Sequence, residues 1–178
     1  MRMLATELVP ESVAPVVLVP DARMDVKVWP HRQRFVADLT RRGVRVLVLG
    51  DNVPPLSLRG LAAFCAAVGH RGGVVVGPDT GPVRVAAATG ARTAGLFGPT
   101  AAARYGLDPP SIDLQGLPDC PHRRPTAITE QAYWWGATCP LADQGPACMA
   151  DLAPGRIVDA VLVALGVSGE NADGSAAL

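Results

Sequence analysis

VVVGPDTGPVRVAAATGARTAGLFGPT, the stretch from Val74 to Thr100, contains the pattern from which the fold can be predicted. The valine run Val74–Val76 ends in Asp-Thr-Gly-Pro, and a small-residue segment ending at Gly90 separates it from a second apolar run, Thr93–Phe97. Both runs are continuously apolar, which is typical of strands buried on both faces, and the segment between them predicts a short helix. The order strand, helix, strand indicates two parallel strands joined by a crossover.

The same alternation continues on both sides of this stretch. Further strands are predicted at 16–19 and 44–49, with an edge strand at 112–114, and further helices at 30–43, 57–68 and 154–165. Pro30 suits a first helical turn, Ser57 an N-cap and Gly43 a helix C-terminus. The pattern predicts an α/β fold with a single Rossmann-like, doubly wound parallel sheet over residues 14–166. Residues 1–13 are expected to form a leader and residues 167–178 a disordered tail.

Composition limits the class of protein. Of the 178 residues, 49% are hydrophobic and 18% charged, which is typical of a globular domain. Lys plus Arg and Asp plus Glu number 16 each, so the formal net charge is zero and nothing suggests nucleic acid as a partner. No apolar run reaches the roughly 18 residues of a membrane span, and acidic residues and prolines interrupt the first twenty residues, unlike a signal peptide. These features predict a cytoplasmic protein without a transmembrane segment.

The four cysteines do not follow a recognised spacing. Cys65 lies in the apolar pattern LAAFCAAV and is expected to be a core thiol. Cys120, Cys139 and Cys148 lie in a loop-rich region, where a metal site or one disulfide is conceivable. Because no C-x-x-C pair is present and a reducing cytoplasm favours free thiols, neither is the expected outcome.

The chemistry is expected beyond the carboxyl ends of the strands, where open parallel sheets bind their ligands. Residues Asp79–Pro82 would make an anion site, because they combine a helix N-terminus with free N–H groups, a Thr80 hydroxyl donor and a Gly81 with no side chain to block close approach. Lys27, on the loop after the first strand, would add a positive charge for a phosphate. Gly98 and Thr100 would approach from the loop after the fourth strand.

Other interpretations of these residues stay open. The Asp-Thr-Gly-Pro turn is also typical of a capped connection without a ligand, and Lys27 of a solvated surface lysine. Asp-Thr-Gly occurs in aspartic proteases as well, but those are all-β proteins, and the α/β pattern here disfavours that class.

Three motifs in order resemble glycosyltransferase family 9, the lipopolysaccharide heptosyltransferases. They are the stretch GPDTGPVRVAAATGARTAGLFGPT, the upstream LVPDARMDVKVWPHRQRFVADLTRRGVRVLVLGDN with its Lys-x-Trp-Pro loop, and CMADLAPGRIVDAVLVAL, which begins at Cys148. The resemblance extends from about Val16 to Leu165. It implies the C-terminal half of a GT-B glycosyltransferase, in which two Rossmann-like domains face each other across a cleft.

The resemblance also implies a ligand. The C-terminal domain of this family holds a nucleotide-sugar donor, ADP-heptose in the best-known members. Lys27 would face the donor phosphates, Asp79, Thr80 and Gly81 would line the phosphate and sugar site, and Thr100 would lie at its edge. No metal or other cofactor is expected, because the lysine and the helix N-terminus would neutralise the leaving diphosphate.

Three departures from the family pattern affect the expected activity. The N-terminal, acceptor-binding domain with its catalytic base has no counterpart in these residues. The segment between Gly50 and Ser57 is too short for the helix and strand that usually hold adenine and ribose. Arg84 stands where the family usually has histidine, which keeps a positive charge but changes its shape.

The main functional hypothesis is therefore a heptosyltransferase-like donor-binding domain, half of a split transferase in lipopolysaccharide or other cell-surface glycan synthesis. The alternatives are a catalytically inactive nucleotide-binding or interaction module and an unrelated nucleotide-binding α/β protein. Whether the chain is itself an enzyme, and which residues would be catalytic, stays open. We further expect an apolar rim at Met24, Val26, Val28 and Trp29 to mediate a homodimer or a complex with a separate N-terminal-type chain.

Overall fold

In the part of the chain that the structure describes, the fold is one five-stranded sheet in which every neighbouring pair of strands is parallel. The structure, a computed structural model of the chain, describes Val9 and residues 14–20, 22–123, 139–142 and 145–167. The strands are β1 (Val16–Leu18), β2 (Val46–Val48), β3 (Val74–Pro78), β4 (Arg92–Phe97) and β5 (Ile112–Gln115). The helices are α1 (Arg32–Arg41), α2 (Leu58–His70), α3 (Gly81–Ala88), α4 (Ala102–Tyr105), α5 (Ala147–Ala150) and α6 (Pro154–Leu165), with a 3-10 turn at Asp25–Lys27.

Helices cover both faces of the sheet, so the doubly wound α/β fold predicted from the sequence is confirmed. One hydrophobic cluster joins α1 and α6 to alternate strand residues, among them Val16, Leu18, Val74 and Val76. The other joins α2 and α3 to the residues between them, such as Val17 and Val75. This division follows from the period of two along a strand, which sends successive side chains to opposite faces. The continuously apolar strands are therefore buried on both sides.

The strand order is β2-β1-β3-β4-β5, and it determines where a ligand can bind. From β1 the chain moves outward to β2 and then returns across β1 to β3, so the direction of winding reverses between β1 and β3. At such a switch point the loops after the two strands diverge and leave a crevice at the carboxyl edge. Those two loops carry Lys27 and Asp79.

The predicted strands and helices are present, with ends that differ from the predicted ones by at most two residues; α1 begins at Arg32, two residues after Pro30. The Ser57 hydroxyl accepts a hydrogen bond from the Gly60 N–H at 3.2 Å and caps α2. Gly43 follows α1 with φ +73°, a left-handed conformation that favours glycine. The short helices α4 and α5 were not predicted, since four residues are too few to show helical periodicity. The predicted leader and tail lie outside the described residues apart from Val9, which is buried in the second cluster, and Val167.

The predicted apolar rim is wrong at Trp29. Its side chain is only 2% exposed, packs edge-on against Phe35 with ring centroids 5.4 Å apart, and donates from Nε1 to the Leu152 carbonyl at 2.9 Å. Met24, Val26 and Val28 are half-buried. An indole in a strand-end loop can turn back and pack beneath it, and sequence position alone does not show this.

The connection from β2 to α2 is as short as the sequence indicates. Residues 49–57 contain no helix or strand, only a single bridge between Leu49 and Val53. The Asn52 side chain lies along the outer edge of β2, accepting from Val48 N at 2.6 Å and donating to Val46 O at 3.3 Å. Among the helices described, none is long and apolar enough to cross a membrane.

Candidate functional site

A cavity of about 580 Å³ opens at the switch point between β1 and β3. The loop after β1 and the first turn of α3 provide its walls. The lining residues are Ala22, Arg23, Met24, Lys27, Asp79, Thr80, Gly81, Pro82 and Arg84. Four of the six residues predicted for the site therefore line one cavity. Three cationic residues and one carboxylate line the cavity, which gives it a net positive charge suited to an anion.

Asp79 lies at the centre of this charge cluster. Its Oδ2 is 3.1 Å from the Lys27 ammonium, which also donates to the Asp79 main-chain carbonyl at 2.8 Å. Its Oδ1 accepts from Arg84 Nη2 at 2.5 Å, and the same guanidinium donates to the Tyr105 carbonyl at 2.9 Å. Lys27 is thus a half-buried ion-pair partner, with a side chain 14% exposed, and not a solvated surface lysine. An ammonium has three N–H groups, so one beyond those bound to Asp79 is left for a ligand.

These charges determine the ionisation of Asp79. Burial alone would raise the pKa of this carboxyl, but the Lys27 ammonium, the nearby Thr100 hydroxyl and the Arg84 guanidinium together lower it below its ordinary value. Asp79 is therefore ionised at neutral pH. A carboxylate held in this way orients the cations beside it and is poorly suited to accept a proton at neutral pH.

The N-terminus of α3 is open to the cavity. Thr80 is its N-cap residue, yet its side chain makes no capping hydrogen bond, and the hydroxyl is buried without a partner among the described residues. A Cβ added at Gly81 would meet no atom within 4 Å, so packing does not require glycine there. Buried hydroxyls are normally hydrogen-bonded, so the unpaired Thr80 hydroxyl is available to donate to a ligand.

The remaining two predicted residues lie behind the cavity. Gly98 is buried, and a Cβ there would lie 2.4 Å from Met149 Sδ, so close packing accounts for this glycine. Thr100 is 7% exposed, and its hydroxyl makes no hydrogen bond of ordinary geometry within the described residues. It is nonetheless close enough to Asp79 to contribute to the low pKa of that carboxyl. Neither residue is among those that line the cavity.

Arg84 and Arg23 belong to the site, although the sequence-based set omits them. Arg84 was identified only as a departure from the family pattern. It follows Asp79 by five residues, on the first turn of α3, which brings its guanidinium back over the strand end. That spacing after a strand-end aspartate is the signal that could have identified it. Arg23 precedes Lys27 on the loop after β1, and no comparable signal marks it in the sequence.

Lys27 has a further property that follows from the sequence. It is the only lysine in a chain with fifteen arginines. The half-buried ammonium that pairs with Asp79 at the switch point therefore belongs to the only lysine in the sequence. This makes Lys27 a unique spectroscopic and chemical probe of the site.

A second cavity, of about 710 Å³, lies between α1 and the end of β2. It is larger, but it contains none of the predicted site residues. Its walls are formed mainly by Leu18, Pro20, Val36, Ala37, Val48 and Leu49, with charged groups at its rim. Although Arg32, at the start of α1, and Arg41 also line this cavity, it contains neither Lys27 nor the Asp79 carboxylate with its paired cations, so we place the candidate site at the smaller cavity.

The cysteines form no evident metal centre. Cys65 is buried in the core, as expected, and burial raises the pKa of its thiol to about 12. The Cys139 sulfur accepts from Ala147 N at 3.4 Å, beside Cys148, and all four thiols are free. Within the described residues no group of three or more His, Cys, Asp or Glu side chains is arranged to hold a metal ion.

Comparison with known proteins gives two matches. The sequence model of glycosyltransferase family 9 (heptosyltransferase) matches residues 51–114, which include β3, Asp79–Arg84 and β4. No curated protein matches the chain significantly. Lys27 lies outside the matched range, so its assignment depends on geometry and on the Lys-x-Trp-Pro resemblance.

Among solved structures, ADP-heptose LPS heptosyltransferase II of E. coli resembles this chain with a TM-score of 0.63 and 16% sequence identity. The alignment covers 92% of this chain and 50% of that one, so the chain spans about half the length of the solved protein. Similarity at this identity shows the fold alone. The two matches together confirm the resemblance to glycosyltransferase family 9, over residues 51–114 in sequence and over most of the chain in fold.

Proposed function

We propose that the cavity at the switch point binds the diphosphate of a nucleotide-sugar donor, as in a heptosyltransferase-like donor-binding domain. The observation that carries the proposal is the combination of Lys27, Arg84 and the open N-terminus of α3 around one cavity. A diphosphate carries two or more negative charges, and paired cations with free backbone N–H groups are the usual protein complement to it. The match of the family model to residues 51–114 supports the same assignment.

In this proposal each residue has a defined role. The third N–H of the Lys27 ammonium and the remaining N–H groups of the Arg84 guanidinium would donate to phosphate oxygens. The Thr80 hydroxyl, which lacks a partner, would donate to the same group. Asp79 would hold both cations in place. No metal is required, since these groups suffice to stabilise a leaving diphosphate.

The larger assembly is part of the proposal. A donor-binding half needs a second half that binds the acceptor and supplies the base, because general base catalysis requires hydrogen-bond reach to the acceptor hydroxyl. We propose that an N-terminal-type domain completes the enzyme in lipopolysaccharide or another cell-surface glycan pathway, in the cytoplasm.

One observation favours a second candidate, an inactive nucleotide-binding module. The connection 49–57 lacks any helix or strand to hold a ribose and base. Such a module would bind the diphosphate with little preference for the base. The two candidates therefore differ in their selectivity for nucleosides and in turnover.

The test uses the single lysine. The protein labelled with ¹⁵N-lysine gives one side-chain ammonium signal, and ADP is titrated against it in parallel with calorimetry. We expect a saturable shift of the Lys27 signal in the parent. Lys27→Ala has no lysine signal, and it should lose most of the heat of binding. Arg59→Ala, which removes an exposed cation from α2, should bind like the parent. Unchanged Lys27 resonances at millimolar ADP, ADP-heptose and inorganic diphosphate would overturn the proposal.

Titrating AMP, UDP and inorganic diphosphate in the same way separates the two candidates. Preference for ADP over UDP favours the donor-binding domain, and equal affinity for all diphosphates favours the module. A sugar-transfer assay with ADP-heptose and a lipid A–Kdo acceptor follows, with and without a candidate partner chain. Acceptor-dependent transfer by this chain alone would contradict the need for a second half.

A further inference from the structure

Positive charge is concentrated on α1 and on the turn that follows it. Residues 31–45 contain five of the fifteen arginines and one acidic residue, Asp38, although the whole chain has a formal net charge of zero. All five arginines are exposed: Arg32, Arg34, Arg41, Arg42 and Arg45. The neutral overall charge therefore conceals one strongly basic surface, and a surface of this kind attracts anionic partners.

The stability of α1 does not require so many cations. Arg32 and Arg34 lie in its first turn, which holds no acidic residue, and cations there oppose the helix dipole. Arg41, at the other end, complements the dipole, but Arg45 lies beyond the helix. Asp38 pairs with Arg34 at 3.3 Å and with Arg41, so one carboxylate is shared between two of the five cations. A net positive charge is therefore left on this surface.

The cations without a partner lie on the turn between α1 and β2. α1 ends at Arg41 and β2 begins five residues later, and this segment, residues 41–45, is the arginine turn. Among the residues that the structure describes, the side chains of Arg42 and Arg45 have no hydrogen-bond or ion-pair partner. Each therefore presents a complete guanidinium, whose fork of N–H groups matches the oxygens of a phosphate.

The larger cavity, of about 710 Å³, runs along α1 beside the arginine turn. Arg32 and Arg41, the first and last residues of α1, both line it, so it extends along the whole helix, roughly 15 Å. Between them its walls are mainly apolar and include Leu18, Val36 and Val48. A volume of this size with apolar walls and a few polar groups at the rim is typical of a ligand pocket.

We propose that the arginine turn and this cavity bind an anionic phospholipid, by which the protein attaches to an anionic membrane surface. The phosphate lies against Arg41, Arg42 and Arg45, and the apolar part of the lipid occupies the cavity along α1. The Asp51 carboxylate also lines the cavity, but it follows β2, whereas the arginine turn precedes that strand. An amphipathic helix with clustered basic residues is a recognised means of binding anionic lipids.

Other polyanions would also be attracted by the arginines. A nucleic acid or an acidic protein would leave the apolar cavity unused. The one aromatic residue of α1, Phe35, is buried, so this helix offers no ring on which a base could stack. The combination of unpaired guanidinium groups with a cavity for hydrocarbon therefore favours a lipid.

The first experiment measures sedimentation of the full chain with vesicles of phosphatidylcholine, with and without phosphatidylglycerol. We expect binding only where phosphatidylglycerol is present, and weaker binding as the salt concentration rises. Arg42→Ala and Arg45→Ala should each weaken it about fivefold, the effect of one cation near an anionic surface. Because both side chains are exposed and without a partner among the described residues, the melting temperature should stay unchanged.

The matched control is a double variant, Arg59→Ala with Arg104→Ala. Both side chains are exposed, on α2 and α4, so this variant loses as much charge as Arg42→Ala with Arg45→Ala, but from outside the basic surface. It should bind vesicles like the parent. Equal loss of binding by the two double variants would mean that net charge alone governs attachment, and the inference would be wrong. Equal binding to vesicles with and without phosphatidylglycerol would also overturn it.

The second experiment distinguishes a lipid from a free phosphate. Calorimetry compares dihexanoyl-phosphatidylglycerol, below its micelle concentration, with glycerol 3-phosphate. We expect the lipid to bind more tightly, and Ala37→Phe, which adds a ring at a cavity-lining position without changing the charge, to weaken lipid binding about fivefold. Equal affinity for glycerol 3-phosphate, or no effect of Ala37→Phe, would show that the cavity does not take the lipid, and the inference would fail.

A third measurement, with polyglutamate as the probe, covers the other class of partner. If polyglutamate binds the arginine turn while phosphatidylglycerol vesicles do not, the partner is an acidic macromolecule and the inference is wrong. Lipid binding does not rest on the proposed function, since Lys27 and Asp79 line the other cavity. The titration with ADP and the vesicle experiment therefore decide the two proposals separately.

Discussion

The Lys27 ammonium binds Asp79 twice, at the main-chain carbonyl (2.8 Å) and at the carboxylate (3.1 Å). A single side chain thereby joins the loop after β1 to the loop after β3, across 52 residues of sequence. Arg84 holds the second carboxylate oxygen from α3. The cations of the candidate site are thus positioned before any ligand arrives, and they are already partly neutralised by Asp79. This arrangement has separate consequences for stability and for binding.

Lys27→Met is expected to destabilise the protein by about 1–3 kcal/mol at neutral pH, since it leaves a buried carboxylate with one cationic partner fewer. The pKa of Asp79 is lowered in the folded protein. Its stabilising contribution is therefore present above the unfolded-state pKa of about 4 and is lost as the pH falls through the folded-state value. The deficit of Lys27→Met should shrink below about pH 4. Urea denaturation at several pH values measures it.

Arg59→Met, which removes an exposed cation from α2, is the control and should show little deficit at any pH. A deficit of Lys27→Met that stays constant into acid would mean that packing of the lysine stem, and not the ion pair, stabilises the loop.

Asp79→Asn should have opposite effects on stability and on binding. The substitution frees Lys27 and Arg84 from a competing carboxylate, so inorganic diphosphate should bind roughly fivefold more tightly, the effect of about 1 kcal/mol. Stability should fall, because both cations lose their partner. Calorimetry and thermal denaturation of the same sample measure the two effects. Weaker diphosphate binding by Asp79→Asn would instead show that the orientation of the cations by Asp79 contributes more to binding than its negative charge takes away.

Trp29→Phe tests whether the hydrogen bond from Trp29 to the Leu152 carbonyl anchors the loop that carries Lys27. The change leaves the Leu152 carbonyl without its indole donor and opens a small cavity, and it should cost about 1–3 kcal/mol. Because Trp29 is two residues from Lys27, the Lys27 ammonium signal should also broaden or shift. Val163→Ala, at a side chain 76% exposed on α6, is the control and should change neither. A stable Trp29→Phe variant with an unchanged Lys27 signal would refute the anchoring role.

The sequence was sufficient to predict the sheet and the first components of the site. Short continuous valine runs bounded by turn residues are typical of strands buried on both faces, and their alternation with helices indicates that the strands are parallel. Parallel strands place their carboxyl ends at one edge, which is why Lys27 and Asp79, far apart in sequence, could be assigned to one site.

The sequence could not predict contacts made by side chains that fold back onto the rest of the protein. Trp29 in an apolar loop has the same local pattern whether it lies exposed or is buried, and its packing on Phe35 and hydrogen bond to Leu152 appear only in the structure. Arg84 could be assigned to a helix, but not to the carboxylate one turn below it. Gln115 occupies a polar position in an edge strand, and the sequence pattern gives no sign of its hydrogen bonds to Phe97, Gly98 and Ala102.

Asn52 is expected to protect the outer edge of β2 from other chains. Its side-chain amide accepts from the Val48 N–H and donates to the Val46 carbonyl. These groups point outward, and a further strand would otherwise pair with them. Asn52→Ala should therefore increase self-association above that of the parent, as measured by sedimentation velocity over a range of concentrations. Asn52→Asp keeps the acceptor for Val48 N and adds an edge charge, so it should behave like the parent. Equal association by all three proteins would mean that this edge is protected in some other way.

The thiols should divide into two pairs by reactivity. Cys65 and Cys148 are 1% and 7% exposed, and burial raises the pKa of both thiols, so neither offers an accessible thiolate near neutral pH. Cys120 and Cys139 are half-buried and should react. We expect an aromatic disulfide reagent to modify two thiols rapidly in the native protein and all four in urea. Cys120→Ser and Cys139→Ser should each remove one fast thiol, while Cys65→Ser should remove none. Rapid modification of three or more thiols in the native state would show that α5 opens readily and exposes Cys148. Met149, on the same helix, would then not pack rigidly against Gly98.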